Sequence, residues 1–346
     1  MPGASHESPP RFVDDVFTLR TLEGTDIVTA GFPCQDLSQA GRMAGITGAR
    51  SGVVSRVLDL LDALDDRPTL VLENVPFMLQ LDGGRAMSYL VDRLQSMGYA
   101  WAYRVVDAQA FGLPQRRQRV LMLASTTFEP QLWLMADEAE PIVRDDTHVA
   151  GFYWTEGNRG LGWAPDAVPP LKGGSGLGIA SPPAFAIRGE GIFTPTIEAA
   201  ERLQGFEAGW TEPVISAGFS ERCRWQLVGN AVAVPMAYWL ASRLRYPGEQ
   251  LACRTVRLDS SKPSWPRAAF GSSAGSWTAL ASNWPVSSKP LSLLEVIGED
   301  RMPLSRRATH GFLSRLRRSR LRRPEWFDRE LERHLARADR DAATDA

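Results

Sequence analysis

The fold of this chain is limited most by a repeated change of hydrophobic period that begins at Asp26. "TDIVTA" is an apolar run of strand length. "SGVVSRVLDLLDAL" then puts Val53, Val57, Leu60, Leu61 and Leu64 on one helical face, and "PTLVLENV" returns to a strand. A second round follows. In "RAMSYLVDRLQSMG", Met87, Leu90, Val91, Leu94 and Met97 repeat the helical spacing and Gly98 stands where a helix stops; "YAWAYRVVDA" and "RVLMLAS" are strands again. Strands alternating with helices predict an α/β fold with a mostly parallel sheet covered on both faces.

Composition shifts after Ser125. Residues 125–193 hold acidic clusters, several prolines and the glycine-rich "LKGGSGLGIASPP" with no sustained period, which predicts a smaller, loop-rich domain inserted in the larger one. The G-x-G-x-G within it lacks a preceding strand and a following helix, so it reads as a recognition loop or turn rather than a phosphate loop. "TPTIEAAERLQGF" starts a helix with Pro195 near its first turn and Gly205 after it. "NAVAVPMAYWLASRL" is a helix that packs back on the sheet. Beyond Tyr246 a Ser/Pro/Trp-rich stretch carries Trp265, Trp277 and Trp284, a content expected of a packed segment rather than a free linker.

No apolar run approaches the roughly 18 residues needed to span a bilayer, and the N-terminus has no basic flank or apolar core, so a cytoplasmic protein is expected. The three cysteines, Cys34, Cys223 and Cys253, are far apart and lack C-x-x-C spacing, which argues against a disulfide framework and a zinc site. The four histidines are scattered, leaving metal binding and a Cys–His dyad without support. Net charge is −1, yet Arg301 to Arg323 holds nine arginines and no acid, a pattern suited to a polyanion.

Chemistry is expected beyond the carboxyl ends of the strands. Gly31-Phe32-Pro33-Cys34-Gln35 follows the first strand, Glu73-Asn74-Val75 follows the second, and Gln115-Arg116-Arg117-Gln118-Arg119 precedes "RVLMLA". Taken singly, a cysteine is most often a small buried hydrophobe, a glutamate a cap and an arginine surface charge. Taken together, a strand-end thiol flanked by arginines is where a nucleophilic thiolate is built. Cys223 and Cys253 lack such surroundings and read as packing residues.

The ordered set "GFPCQ", "ENV", "QRRQR", "ERLQGF" and "GNAVAVP" resembles the motif series of the DNA (cytosine-5)-methyltransferase family, over about Val13 to Leu244. The resemblance implies a doubly wound, Rossmann-like methyltransferase sheet and a restriction-modification setting. It implies methyl transfer from S-adenosylmethionine to cytosine C5 in duplex DNA of the bacterial nucleoid, after extrusion of the base. Cys34 would be the nucleophile at C6, Glu73 the partner acid at N3 and the exocyclic amine, Arg119 the contact to O2, and Arg117 a shaper of the pocket. Asp15, Val16, Pro33, Gly52, Val53 and Asn230 would contact the cofactor. Gln35, Ser38, Asn74 and Gln115 would contact the substrate, with "CQDLSQAG" as the closing loop and the insert choosing the sequence.

On this reading residues 1–12 are an irregular N-terminus, 13–124 a partial catalytic domain, 125–225 a target-recognition domain, 226–247 a helix returning to the catalytic domain, and 248–346 an extension with a basic helix. The family's opening strand, glycine-rich loop and ribose-binding acid have no counterpart here, so an N-terminal truncation is expected, from a late start, gene decay or a split enzyme whose partner chain supplies those motifs. The alternatives are a non-catalytic DNA-binding subunit and a tRNA cytosine methyltransferase.

Overall fold

The computed structural model describes residues 12–32, 52–144, 148–156, 158, 160–173, 182–248, 255–258 and 265–344. They divide into two compact units, one of residues 1–104, 120–134 and 252–280, the other of 105–119, 135–251 and 281–346.

The first unit is built on β1 (Ile27–Ala30), α1 (Val53–Asp62), β2 (Thr69–Asn74), α2 (Arg85–Ser96), β3 (Ala100–Asp107) and β4 (Gln118–Ser125). The α2 stripe is as its spacing predicts: Met87, Leu90, Val91, Leu94 and Met97 are all buried. Its stop is a Schellman turn, in which Gly98 at φ 81° lets its own amide reach Gln95 O at 3.0 Å and the Tyr99 amide reach Leu94 O at 3.0 Å. In α1 the expected Leu60 and Leu61 are buried, but Val54 and Leu58 are buried where Val53 and Val57 were expected, and the helix ends at Asp62, short of Leu64.

Strand order is β1-β2-β4-β3-β10-β11-β9, where β9 is Thr255–Arg257, β10 Ala268–Ser272 and β11 Gly275–Ala279. This corrects the expected parallel sheet. β1 and β2 are parallel, but β2–β4, β3–β10, β10–β11 and β11–β9 are antiparallel. Apolar runs report burial and not direction, and β3, buried along its whole length, looks the same with either kind of neighbour. The tryptophan-rich stretch is packed as expected: Trp265 meets Trp101 and Tyr103 edge-on at centroid distances of 5.9 and 6.3 Å, and Trp277 stacks on Phe270 at 5.8 Å.

The second unit carries, between its loops, short strands that its composition does not announce. It holds a sheet in the order β12-β8-β7-β5-β6, made of β5 (Val149–Phe152), β6 (Ala164–Pro165), β7 (Ala184–Ile187), β8 (Gly191–Pro195) and β12 (Arg301–Pro303), paired antiparallel. Phe185 and Ile187 face one core with α4 (Ile197–Leu203) and Leu293, Val296 and Ile297. Ala184 and Ala186 face another with Phe312, Leu316, Phe327 and Leu331, from the helices Arg306–Arg317 and Glu325–Thr344. Coverage on both faces removes the polar alternation by which short strands are recognised, which is why the sequence hid them. Pro195 closes β8, and Thr196, not a proline turn, caps α4 by accepting from the Ala199 amide at 3.3 Å. The helix expected to return to the catalytic sheet, Val234–Arg245, belongs to this unit, where Trp239 packs on Phe111 at 5.8 Å.

Candidate active site

In the first unit, register sets the rim. Ala30 is paired with Leu72, so Glu73 and Asn74 run alongside Gly31 and Phe32 just past the end of β1. A Cβ on Gly31 would lie 3.7 Å from Glu73 Oε2, which places the half-buried carboxylate beside the backbone that leads to Cys34. Buried Asn74 donates through Nδ2 to the Phe32 carbonyl at 3.0 Å and accepts from the Val75 amide at 2.8 Å. The expected substrate contact is thus a tether for the loop root. Pro33, Cys34, Gln35, Ser38 and Cys253 lie outside the described residues.

The same unit brings two pairs of expected cofactor contacts to neighbouring chain segments. Asp15 caps the short turn Val16–Thr18 by accepting from the Phe17 amide at 2.9 Å, and Arg56, in the first turn of α1, donates to the Leu19 carbonyl. Gly52 is the N-cap of α1 and offers no side-chain oxygen, so among the described residues no side-chain cap occupies the first-turn amides around Val53. An exposed carboxylate beside apolar Val16 and an uncapped helix start suit a polar nucleoside ligand, so these residues fit the cofactor that the motifs imply.

In the second unit the "QRRQR" segment is largely internal. Gln115, with 0% exposure, donates to Leu203 O at 2.9 Å and to Gln204 Oε1 at 3.2 Å and accepts from the Leu171 amide at 2.9 Å. Arg117, with 1% exposure, donates to the carbonyls of Leu171 (3.0 Å), Gly229 (3.0 Å) and Ala231 (2.8 Å). Amide and guanidinium groups so placed spend these bonds on the protein itself and brace the segments they join. Arg119 is buried at the start of β4 and donates to its neighbour's carbonyl, Gln118 O, at 2.7 Å.

The "GN" of "GNAVAVP" fits this brace. A Cβ on Gly229 would fall 2.2 Å from Gly173 N, so only glycine allows the two backbones to meet there. Asn230 Oδ1 lies 3.1 Å from where a Cβ on Gly173 would stand. Arg117 therefore holds carbonyls on both sides of the contact that roots the glycine-rich segment.

Sequence reading assigned no role to Gln204, Glu201 or Tyr153. Gln204 Nε2 donates to Val228 O at 2.7 Å, joining "ERLQGF" to the brace, and Glu201 is wholly buried with Arg224 and Thr211. Burial pushes the Tyr153 phenol up, the Glu156 charge adds to this, and Arg117 and Arg119 oppose it; its hydroxyl donates to Pro170 O at 3.0 Å. A glutamine and a glutamate on the inward face of a short helix were the available signal; Tyr153 carried none.

Comparison with known proteins adds the following. The family model described as C-5 cytosine-specific DNA methylase matches residues 11–141. The type II methyltransferase M2.BsuMI of Bacillus subtilis (strain 168) is 43% identical over 318 residues, covering 88% of this chain and 81% of that protein. The type II methyltransferase M.MspI of Moraxella sp is 26% identical over 261 residues, covering 69% and 59%. Among solved structures, S. pombe Dnmt2 methyltransferase matches at 18% identity and a TM-score of 0.48, over 67% of this chain and 83% of that one.

Proposed function

Because the chain belongs to the C-5 cytosine-specific DNA methylase family, a family of enzymes, we propose that it methylates cytosine C5 in duplex DNA through a covalent Cys34 intermediate. The Cys34 thiolate adds to C6 and the ring electrons move to C5. Glu73, protonated at N3, takes up the charge that addition pushes into the ring, and Arg119 is assigned to O2. Asp15, Val16, Gly52 and Val53 would hold S-adenosylmethionine, whose sulfonium methyl would pass to the electron-rich C5 as the S–CH3 bond breaks and S-adenosylhomocysteine is left. Loss of the C5 proton then expels Cys34 as thiolate and restores the aromatic ring, so no redox partner is required.

The observation that supports this reading best is the rim of the first unit: Glu73 stands beside Gly31, and Asn74 fixes the Phe32 carbonyl two residues before Cys34. A nucleophile that follows a strand end needs such a fixed root if its thiol is to be held in one place. The remaining cofactor contacts we ascribe to a segment that pairs with β1, which forms one edge of the described sheet and leaves Ile27 47% exposed.

Duplex DNA carrying 5-fluorocytosine tests the proposal, because fluorine at C5 blocks the elimination step. The expected result is a denaturation-resistant protein–DNA adduct that needs S-adenosylmethionine and is lost in Cys34→Ala. An adduct that forms only after addition of a fragment bearing a strand and a glycine-rich loop would support the β1 pairing as well. No adduct under either condition, from folded protein, would sink the catalytic reading, and methylation confined to tRNA would sink the DNA assignment.

A further inference from the structure

In the second unit, the helix Arg306–Arg317 (α9) separates its charges by face. Thr309, Phe312, Leu313 and Leu316 form its buried stripe. At about 100° per residue, Arg307, His310, Gly311, Ser314 and Arg318 fall on the opposite side. Arg306 and Arg317 lie on the flank turned to Glu325–Thr344 (α10), where Arg306 pairs with Asp339 and Arg317 with Glu332 at 2.5 Å. Arg323 pairs with Asp328 at 2.8 Å. The acids of α10 thus neutralise one side of the arginine run and leave the outer side charged. Arg307, His310, Arg318, Arg320 and Arg322 are exposed, and among the described residues no carboxylate pairs with these arginines.

A groove of about 500 Å³ runs beside this stripe, lined by Trp154, Arg307, His310, Gly311 and Arg315 among others, with no acid. Arg315 closes its wall by donating to Trp154 O at 2.8 Å. An adjoining groove of about 450 Å³ adds Arg222, with Glu221 as its single carboxylate. The surface is rigidly backed, since Phe312 stacks on Phe152 at 5.0 Å.

We infer that this stripe is a second DNA contact, gripping the phosphodiester backbone of the duplex without regard to sequence. The inference rests on the duplex-methylation reading for its substrate. From Arg307 to Arg318 the cations extend roughly 16 Å along the helix axis, enough to follow several phosphates. The small residues Gly311 and Ser314 between them allow a strand to lie close. An acidic protein partner is the weaker fit, because an interface core would require apolar anchors and the outer stripe from 307 to 322 presents cations instead.

Duplex binding by the full chain, followed by fluorescence anisotropy on 30-bp duplexes of unrelated sequence between 50 and 200 mM NaCl, tests it. Arg307→Ala with Arg318→Ala should weaken binding several-fold on every duplex and lower the slope of log affinity against log salt by about 2, near 0.9 per phosphate contact. Circular dichroism and melting should be unchanged, and Arg329→Ala, exposed on α10, should keep the wild-type slope. An unchanged slope in the folded double variant, with Cys34 adduct formation intact, would overturn this inference alone. Wild-type protein that holds poly-glutamate but no duplex would overturn both it and the function proposed above.

Discussion

The side-chain amide of Asn74 donates to the carbonyl of Phe32 at 3.0 Å, so the residue after Glu73 on β2 holds the chain two positions before Cys34. Both residues are buried, and Asn74 Oδ1 is engaged by the Val75 amide at 2.8 Å. Asn74→Asp keeps that acceptor but sets a carboxylate against a carbonyl. Leaving the buried carbonyl unpaired costs about 1–3 kcal/mol. We expect adduct formation to slow by about 10- to 100-fold, the effect of misplacing a reacting group by an ångström, with the fold retained. Adduct rates equal to wild type would show that the loop root needs no tether.

Arg117 carries a different prediction from the pocket-shaping role that its motif implied. Three carbonyls depend on it, and Arg117→Lys offers a compact ammonium that cannot reproduce the planar fork. Melting temperature should fall in Arg117→Lys and further in Arg117→Ala, by about 3–5 kcal/mol of stability in the latter. Limited proteolysis should open the chain near Lys172, where the brace is lost. If turnover fell while melting and proteolysis stayed as in wild type, Arg117 would be a substrate residue after all.

These two residues mark where the sequence was readable. The ends of β1 and β2 were legible because the strands stop where their apolar runs stop, and Gly98 announced the end of α2 through the backbone conformation it needs. What a motif could not tell was which polar groups face a ligand and which face the protein. Gln115 and Arg117 sit in the same five-residue string as exposed Arg116, yet both are wholly internal. Strand direction in the first unit was hidden for want of any apolar signal that depends on it, and the sheet of the second unit because Phe185 and Ala186, on opposite faces, are equally buried. The basic run was visible, but its division into a paired and a free side needed the acids of α10, which begin after the run ends.

Glu201 should govern stability on the acid side. It lies at 0% exposure, accepts from the Thr211 amide at 2.8 Å and from the Thr211 hydroxyl, and faces Arg224 at 3.2 Å. Burial pushes its pKa up, but the Thr211 hydroxyl, the amides of Thr211 and Gly209 and Arg224 more than reverse this, and the carboxyl ends below its ordinary value of 4.5. A depressed folded pKa means stability that is present above 4.5 and lost as pH falls through the lower folded value. Glu201→Gln should therefore melt lower than wild type at pH 7, with the gap narrowing as pH falls below 4.5. Glu201→Ala, which takes the buried carboxylate from Arg224, leaving it Glu198, and strands the Thr211 and Gly209 amides, should cost about 3–5 kcal/mol at neutral pH. A gap that stayed constant with pH would deny the carboxylate this role.

Asp107 should act in the opposite sense. Its carboxylate is buried at the end of β3, accepting from the Gln109 amide at 3.1 Å and from Gln118 Nε2 at 3.1 Å. Burial pushes its pKa up, and these bonds together with the Arg116 charge oppose burial without cancelling it, so the folded value lies above 3.8. For a raised carboxyl the favourable term belongs to the protonated form; it is full below 3.8 and disappears as pH rises through the folded pKa. Asp107→Asn removes that loss while keeping an oxygen for the Gln109 amide, and the Gln118 amide can turn to present its own oxygen to the new Nδ2. Relative to wild type, the variant should gain melting temperature as pH rises above 3.8 and level off once pH has passed the folded pKa of Asp107. A gain that shrank over this range would mean that the hydrogen bonds from Gln109 and Gln118, not burial, decide the charge state at this strand end.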